Sequence, residues 1–167
     1  MPIVCARMSR CLIFGFVLIL LTGSLSSDAS AADFEAGVRA LQEGDYAAAL
    51  HEFQTLADAG VANAEFMVGV MYENGYGVTA DLALAAKWYR RAAERGLASA
   101  QYNLSVFHQF TRGVELDLSE AVRLSRLAAE KGHAAAQTNL GVFYMVGEGI
   151  ERRRWHGRGQ AREPPRQ

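Results

Sequence analysis

Cysteine is nearly absent from these 167 residues: Cys5 and Cys11 are the two present, and both precede residue 12. Everything downstream must therefore fold without disulfides and lacks thiol chemistry. Cys11 stands before the apolar run rather than after it, so it is no lipoprotein acylation site, and no other lipidation signal is apparent. Metal-ligand spacing is missing too. His51, His108, His133 and His156 never pair as H-x₃-H, and there is no HExxH. No G-x-S-x-G or S-x-x-K signposts a serine nucleophile. Gly75-Tyr76-Gly77-Val78-Thr79-Ala80 fits the dinucleotide string G-x-G-x-x-A, but it follows a helical pattern rather than a strand. The sequence thus points to no catalytic residue, no cofactor and no metal.

Basic charge is scarce through most of the chain. Ala32 to Glu151 carries 9 Lys/Arg against 16 Asp/Glu, a net −7, without the basic stripe that nucleic-acid binding needs. Long apolar runs are also lacking. Arg7 and Arg10 precede a ten-residue stretch, Leu12 to Leu21, and Ala29-Ser30-Ala31 follows with small residues. This is the layout of a secretory signal peptide, residues 1–31, cut after Ala31. The stretch falls short of the roughly 20 residues that span a membrane, so no stable anchor is expected after cleavage. The expected location is periplasmic or secreted.

What the chain does have is a period of 36 residues. Ala62, Ala98 and Ala134 align, as do Ala64, Ala100 and Ala136, then Glu65, Gln101 and Gln137. Val68, Leu104 and Leu140 share a column, followed by Tyr72, His108 and Tyr144, and by Gly77, Gly113 and Gly149. Asp81 matches Asp117, Ala85 matches Ala121, and Ala92-Ala93-Glu94-Arg95-Gly96 matches Ala128-Ala129-Glu130-Lys131-Gly132. A repeat at this spacing signals stacked supersecondary units.

Each unit reads as two helices. Ala64, Val68, Met71 and Tyr72 recur at three- and four-residue spacing and share one helix face. Gly75 and Gly77 stop that helix, Asp81 caps the next, and Leu82, Ala85, Trp88, Tyr89 and Ala92 turn to the core. Asp117 with Glu120 predicts a capping box. Gly96 and Gly132 end the second helices. A variant of the unit comes first: a helix from Phe34 to Glu43, a turn at Gly44-Asp45, and a helix carrying Tyr46, Ala49, Leu50, Phe53, Leu56 and Ala57 up to Gly60.

This pattern resembles the Sel-one-like repeat, a relative of the tetratricopeptide repeat. The match is fullest over 62–97, weaker over 98–133 and partial over 134–150, with 32–61 as a tetratricopeptide-like first repeat. In 98–133, Ser105, His108, Thr111, Leu124 and Ser125 depart from the pattern, so looser packing is expected there. The resemblance implies an all-α fold, an α-α superhelix or solenoid of helix-turn-helix repeats, that binds a protein or peptide partner and no small-molecule substrate. In related repeats the first helices line a concave surface. The residues expected to contact a partner there are Glu65, Phe66, Met67, Gln101, Tyr102, Asn103, Gln137, Thr138 and Asn139. One cysteine-rich bacterial branch of the family is linked to penicillin binding, which leaves binding or hydrolysis of cell-wall peptides or β-lactams as an alternative, although the paired cysteines of that branch are absent.

Beyond Ile150 the period fails. Arg153 stands in the Asp81 column and Gly157 in the Ala85 column, and from Arg152 onward six arginines face Glu163 alone. Residues 151–167 read as a basic disordered arm or as the product of a shifted reading frame, and the break in mid-repeat favours the second. On that view the chain is a truncated fragment of a longer repeat protein, a third reading of its function. Leu140, Val142 and Phe143 are then expected to be partly uncovered, because a terminal repeat needs a polar cap.

Overall fold

The computed structural model describes residue 31 and residues 33–147, so residues 1–30 of the leader, Ala32 just after the expected cut, and the basic tail lie outside the described residues. Within them the chain is all helix. Helix α1 covers 33–43 and is followed by α2 (Tyr46–Asp58), α3 (Ala62–Asn74), α4 (Leu82–Glu94), α5 (Ala98–Gln109), α6 (Leu118–Glu130) and α7 (Ala134–Val146). From α2 onward each helix packs chiefly on its neighbours in sequence, the pattern of a solenoid built from αα-hairpins.

Local chemistry sets the boundaries. Asp45, Asp81 and Asp117 each cap a second helix, accepting from the backbone N–H three residues on at 2.9–3.0 Å. The expected capping box at Asp117 is only half made. Glu120 does not return to the Asp117 N–H; its carboxylate turns forward to Arg123, at 2.6 and 2.7 Å, because a bidentate pair with charge on both partners outcompetes a single bond from a neutral N–H. The Asp117 N–H instead donates to the His108 carbonyl, as that of Asp81 does to Tyr72.

The second glycine of each Gly-x-Gly turn meets two demands. Gly77 and Gly113 hold φ of 70° and 68°. A Cβ at Gly77 would lie 2.8 Å from the Tyr46 carbonyl oxygen, and one at Gly113 would lie 2.3 Å from the Leu82 backbone. Tyr46 and Leu82 share a column, so each turn rests on the start of the preceding unit's second helix. Only glycine allows that approach.

Three apolar clusters run along the stack. The first joins α1, α2, α3 and Trp88; the second centres on Tyr89, Leu104, Phe107 and Leu124; the third joins Ala121, Val122 and Phe143. The last corrects the expectation for Phe143, which is 1% exposed. Phe143 shares a column with Met71 and Phe107 and packs back on α6, so it needs no later helix. Leu140 is half-buried, and Val142, at 39% exposed, is partly uncovered as expected.

Candidate partner-binding face

The nine expected contact residues fall in three adjacent columns on α3, α5 and α7, and the structure gives the columns different tasks. The first column is structural. Gln101 donates from Nε2 to the Ala93 carbonyl at 3.1 Å, and Gln137 donates likewise to Ala129 at 3.3 Å. Both carbonyls belong to the last turn of the preceding second helix, where each also accepts from the N–H of the terminating glycine and keeps a lone pair for the glutamine. Ala57 is their counterpart. Glu65 has no proton to give it, so Arg91 does the work. Its Nη2 donates to Ala57 at 3.0 Å and its Nε to Glu65 Oε1 at 3.0 Å, while Arg95 Nε holds Glu65 Oε2 at 3.0 Å.

Glu65 is therefore wholly buried and Gln101 is 4% exposed. Neither presents surface on the first-helix face, which corrects the expectation for both. A buried carboxylate requires such charge-assisted partners to offset its lost hydration. Gln137 remains exposed.

The second column is more open. Phe66 is half-buried, its ring 5.5 Å from that of Tyr89. Half-buried Tyr102 stacks on His133 at 4.9 Å, and His133 Nδ1 in turn accepts from the Ala136 N–H to cap α7. That ring cap has no Asp, Ser or Thr to announce it in the sequence. Thr138 is exposed, with its hydroxyl bonded to the Ala134 carbonyl. In the third column, Met67 packs on the cluster that holds Trp88, Asn139 donates to Ser125 Oγ at 3.2 Å, and Asn103 is half-buried. Phe66, Tyr102, Asn103, Gln137 and Thr138 thus keep surface on the first-helix face.

Behind this face an ionic chain ties the two full repeats together. The Tyr89 hydroxyl donates to Glu73 Oε2 at 2.5 Å, and Arg112 Nη1 pairs with Glu73 Oε1 at 2.9 Å while lying over the Phe107 ring. Burial, reinforced by the Glu73 carboxylate, pushes the Tyr89 phenol well above its ordinary pKa. Its stabilising contribution is complete below the ordinary phenol value and is lost as pH rises beyond it.

Sequence reasoning passed over several exposed apolar side chains. Phe110 and Leu116 border the α5–α6 turn, while Tyr144, Val146 and the 81% exposed Met145 end α7. Phe110 and Leu116 stand in columns that hold Asn74 and Ala80 one repeat earlier, a departure that could have flagged them. Among the described residues no group of three or more His, Cys, Asp or Glu side chains could hold a metal ion.

The Sel1 repeat model matches residues 62–97, 98–133 and 134–153, more than half of the sequence. The chain belongs to the Sel1 repeat family. Among solved structures, this Sel1 repeat chain is similar to a Sel1 repeat protein from Oxalobacter formigenes, at 30% identity and a TM-score of 0.68 over 71% of this chain and 49% of that one. It is also similar to c5321 of uropathogenic Escherichia coli, a protective antigen with an SLR fold, at 37% identity and a TM-score of 0.72 over 81% of this chain and 30% of that one. Cysteine rich protein B of Helicobacter pylori shares the fold at 19% identity, with a TM-score of 0.55 over 67% of this chain and 95% of that one. The Sel1 repeat chain thus spans about half of the Oxalobacter protein and under a third of the Escherichia protein. No curated protein sequence matches it. Sel1 repeat proteins are generally protein-interaction scaffolds.

Proposed function

We propose that this chain is an exported, non-catalytic scaffold that holds a protein or peptide partner against its first-helix face, at the cell envelope or outside the cell. One observation carries the reading. Phe66, Tyr102 and Thr138 recur every 36 residues and keep accessible surface, while the neighbouring polar column is occupied by helix ends. Partly exposed aromatic side chains on a rigid frame suit an interface, because they add contact area at small entropic cost. The leader sequence, with Arg7, Arg10, the Leu12 to Leu21 run and Ala29-Ser30-Ala31, supports export.

The test is affinity capture from envelope extract with the wild type, Y102A and F66A, each checked for helicity and melting. The expected result is one recurrent partner, lost with Y102A and weakened with F66A. Equal recovery by folded Y102A would overturn the assignment of the face. For export, the expected result is a mature chain in the envelope or medium fraction that begins at Ala32; retention of the full-length chain inside the cell would contradict it.

A further inference from the structure

A cavity of about 440 Å³ opens between α4, α5 and α6, lined in part by Gln101, Leu104, Leu124 and Leu127. We propose that it is a socket for an indole ring, the side chain of a tryptophan on a polypeptide partner. The proposal rests on the protein-binding reading above and adds a side-chain preference to it.

The chain itself shows what belongs in such a place. One repeat earlier, Trp88 fills the corresponding seam within a cluster that holds Ala57 and Val68, with Leu84 packed beside them. The Arg91 guanidinium lies 4.3 Å over its ring and donates to Glu65. Thirty-six residues on, Leu124 replaces Trp88, Leu127 replaces Arg91 and Gln101 replaces Glu65. All three line the cavity, and so do Ala93, Leu104 and Glu120, the counterparts of Ala57, Val68 and Leu84. The space is therefore the Trp88 seam with its tryptophan and arginine cut back to leucines.

Two further features select the ligand. Gln101 Nε2 is engaged by the Ala93 carbonyl, but Gln101 Oε1 is buried without a donor. In the preceding repeat both Glu65 oxygens receive a donor, from Arg91 and Arg95, and Leu127 in the Arg91 column can provide none. An N–H entering beside Leu127 supplies the missing donor, and an indole carries one on a flat apolar body. The rim holds Arg90 and Arg123 as well as Glu94 and Glu120. The guanidinium groups can lie over an aromatic face, and a neutral indole enters the leucine-lined space without the desolvation cost that a cationic side chain incurs, so the socket favours tryptophan over arginine.

The experiment is an NMR titration of the purified protein, without a partner, using the neutral probe N-acetyl-tryptophanamide and its phenylalanine and arginine analogues. The expected result is saturable shifts at the Leu124 and Leu127 methyls and the Gln101 side-chain amide. Affinity for the tryptophan probe should exceed that for the analogues by roughly tenfold, since a site with an unsatisfied acceptor discriminates against ligands that lack the donor or carry the wrong charge. Leu124→Trp fills the socket from within and should abolish the response. Leu127→Arg, at a half-buried position, restores the internal donor and should do the same if Leu124→Trp does not fold. Absence of saturable shifts, equal binding of the three probes, or full binding by a folded variant would overturn the socket. Capture through Tyr102 is measured separately, so loss of one result leaves the other standing.

Discussion

The repeat at 62–97 closes its hairpin with a large ring over a glycine: a Cβ on Gly69 would lie 2.8 Å from the Tyr89 ring. At 98–133 the same two columns hold Ser105 and Ser125, both fully buried and joined by a 3.0 Å hydrogen bond. Ser105 also donates to the Tyr102 carbonyl, and Asn139 donates to Ser125. One frame thus accepts two fillings, a large residue over a small one or two small polar residues that satisfy each other. The second filling is less bulky, and its companion change from Trp88 to Leu124 leaves the cavity open. The comparison shows that a repeat column preserves a position and a task, while the chemistry that performs the task is free to change.

The strongest way to sharpen this contrast is to truncate the Trp88 column in both repeats. Trp88→Ala should cost about 3–5 kcal/mol of stability, and Leu124→Ala, beside an existing cavity, about 2–3 kcal/mol, both read from urea unfolding. Equal costs would remove the claimed difference in packing. The next test concerns the polar column. Arg91→Leu leaves the Ala57 carbonyl with the Gly60 N–H alone and strands Oε1 of the buried Glu65 carboxylate, and should cost about 2–3 kcal/mol. Adding Glu65→Gln recreates the Gln101 and Leu127 arrangement, in which the glutamine itself reaches the carbonyl. The double variant should therefore recover to within about 1 kcal/mol of wild type, a coupling that independent sites would not show.

A smaller effect is expected at the turns. Thr111 holds φ 55° where Gly75 holds 74°. A β-branched residue is strained in this left-handed region, so Thr111→Gly should raise stability by roughly 0.5–1 kcal/mol while Gly75→Thr lowers it by roughly 1–2 kcal/mol, as thermal unfolding would report. The smallest effect belongs to the second repeat's own ion pair. Hydrogen bonds from Arg123 hold the Glu120 carboxyl below its ordinary pKa. Its stabilisation is present above the unfolded carboxylate value and is lost as pH falls through the lowered one. With Arg123 largely exposed, Glu120→Gln should cost no more than about 0.5 kcal/mol at neutral pH and nothing in strong acid.

The hairpin order, the Asp caps and the burial of Trp88 and Tyr89 were legible in the sequence because each has a local signal: a 3.6-residue pattern, a capping carboxylate, or a column shared across 36 residues. The departures Ser105, Thr111, Leu124 and Ser125 marked the looser repeat for the same reason. The task of the Glu65 and Gln101 column was not legible. Its acceptor is a backbone carbonyl eight residues back on another helix, and carbonyls carry no residue code. The burial of Phe143 was not legible because the break in the period after Ile150 speaks to Leu140, Val142 and Phe143 alike, whereas the Phe143 ring packs back on Ala121 and Val122 of α6. At the candidate site, Phe66 and Tyr102 stand out in the sequence by their column, but their partial burial against Tyr89 and His133 emerges only when neighbouring helices are packed.

Native-state hydrogen exchange with per-residue readout tests the unequal repeats most directly. The account predicts that amides of α3 and α4 exchange through higher-energy openings than the equivalent amides of α5 and α6, column by column. Equal protection in the two repeats, or stronger protection across 98–133, would contradict it.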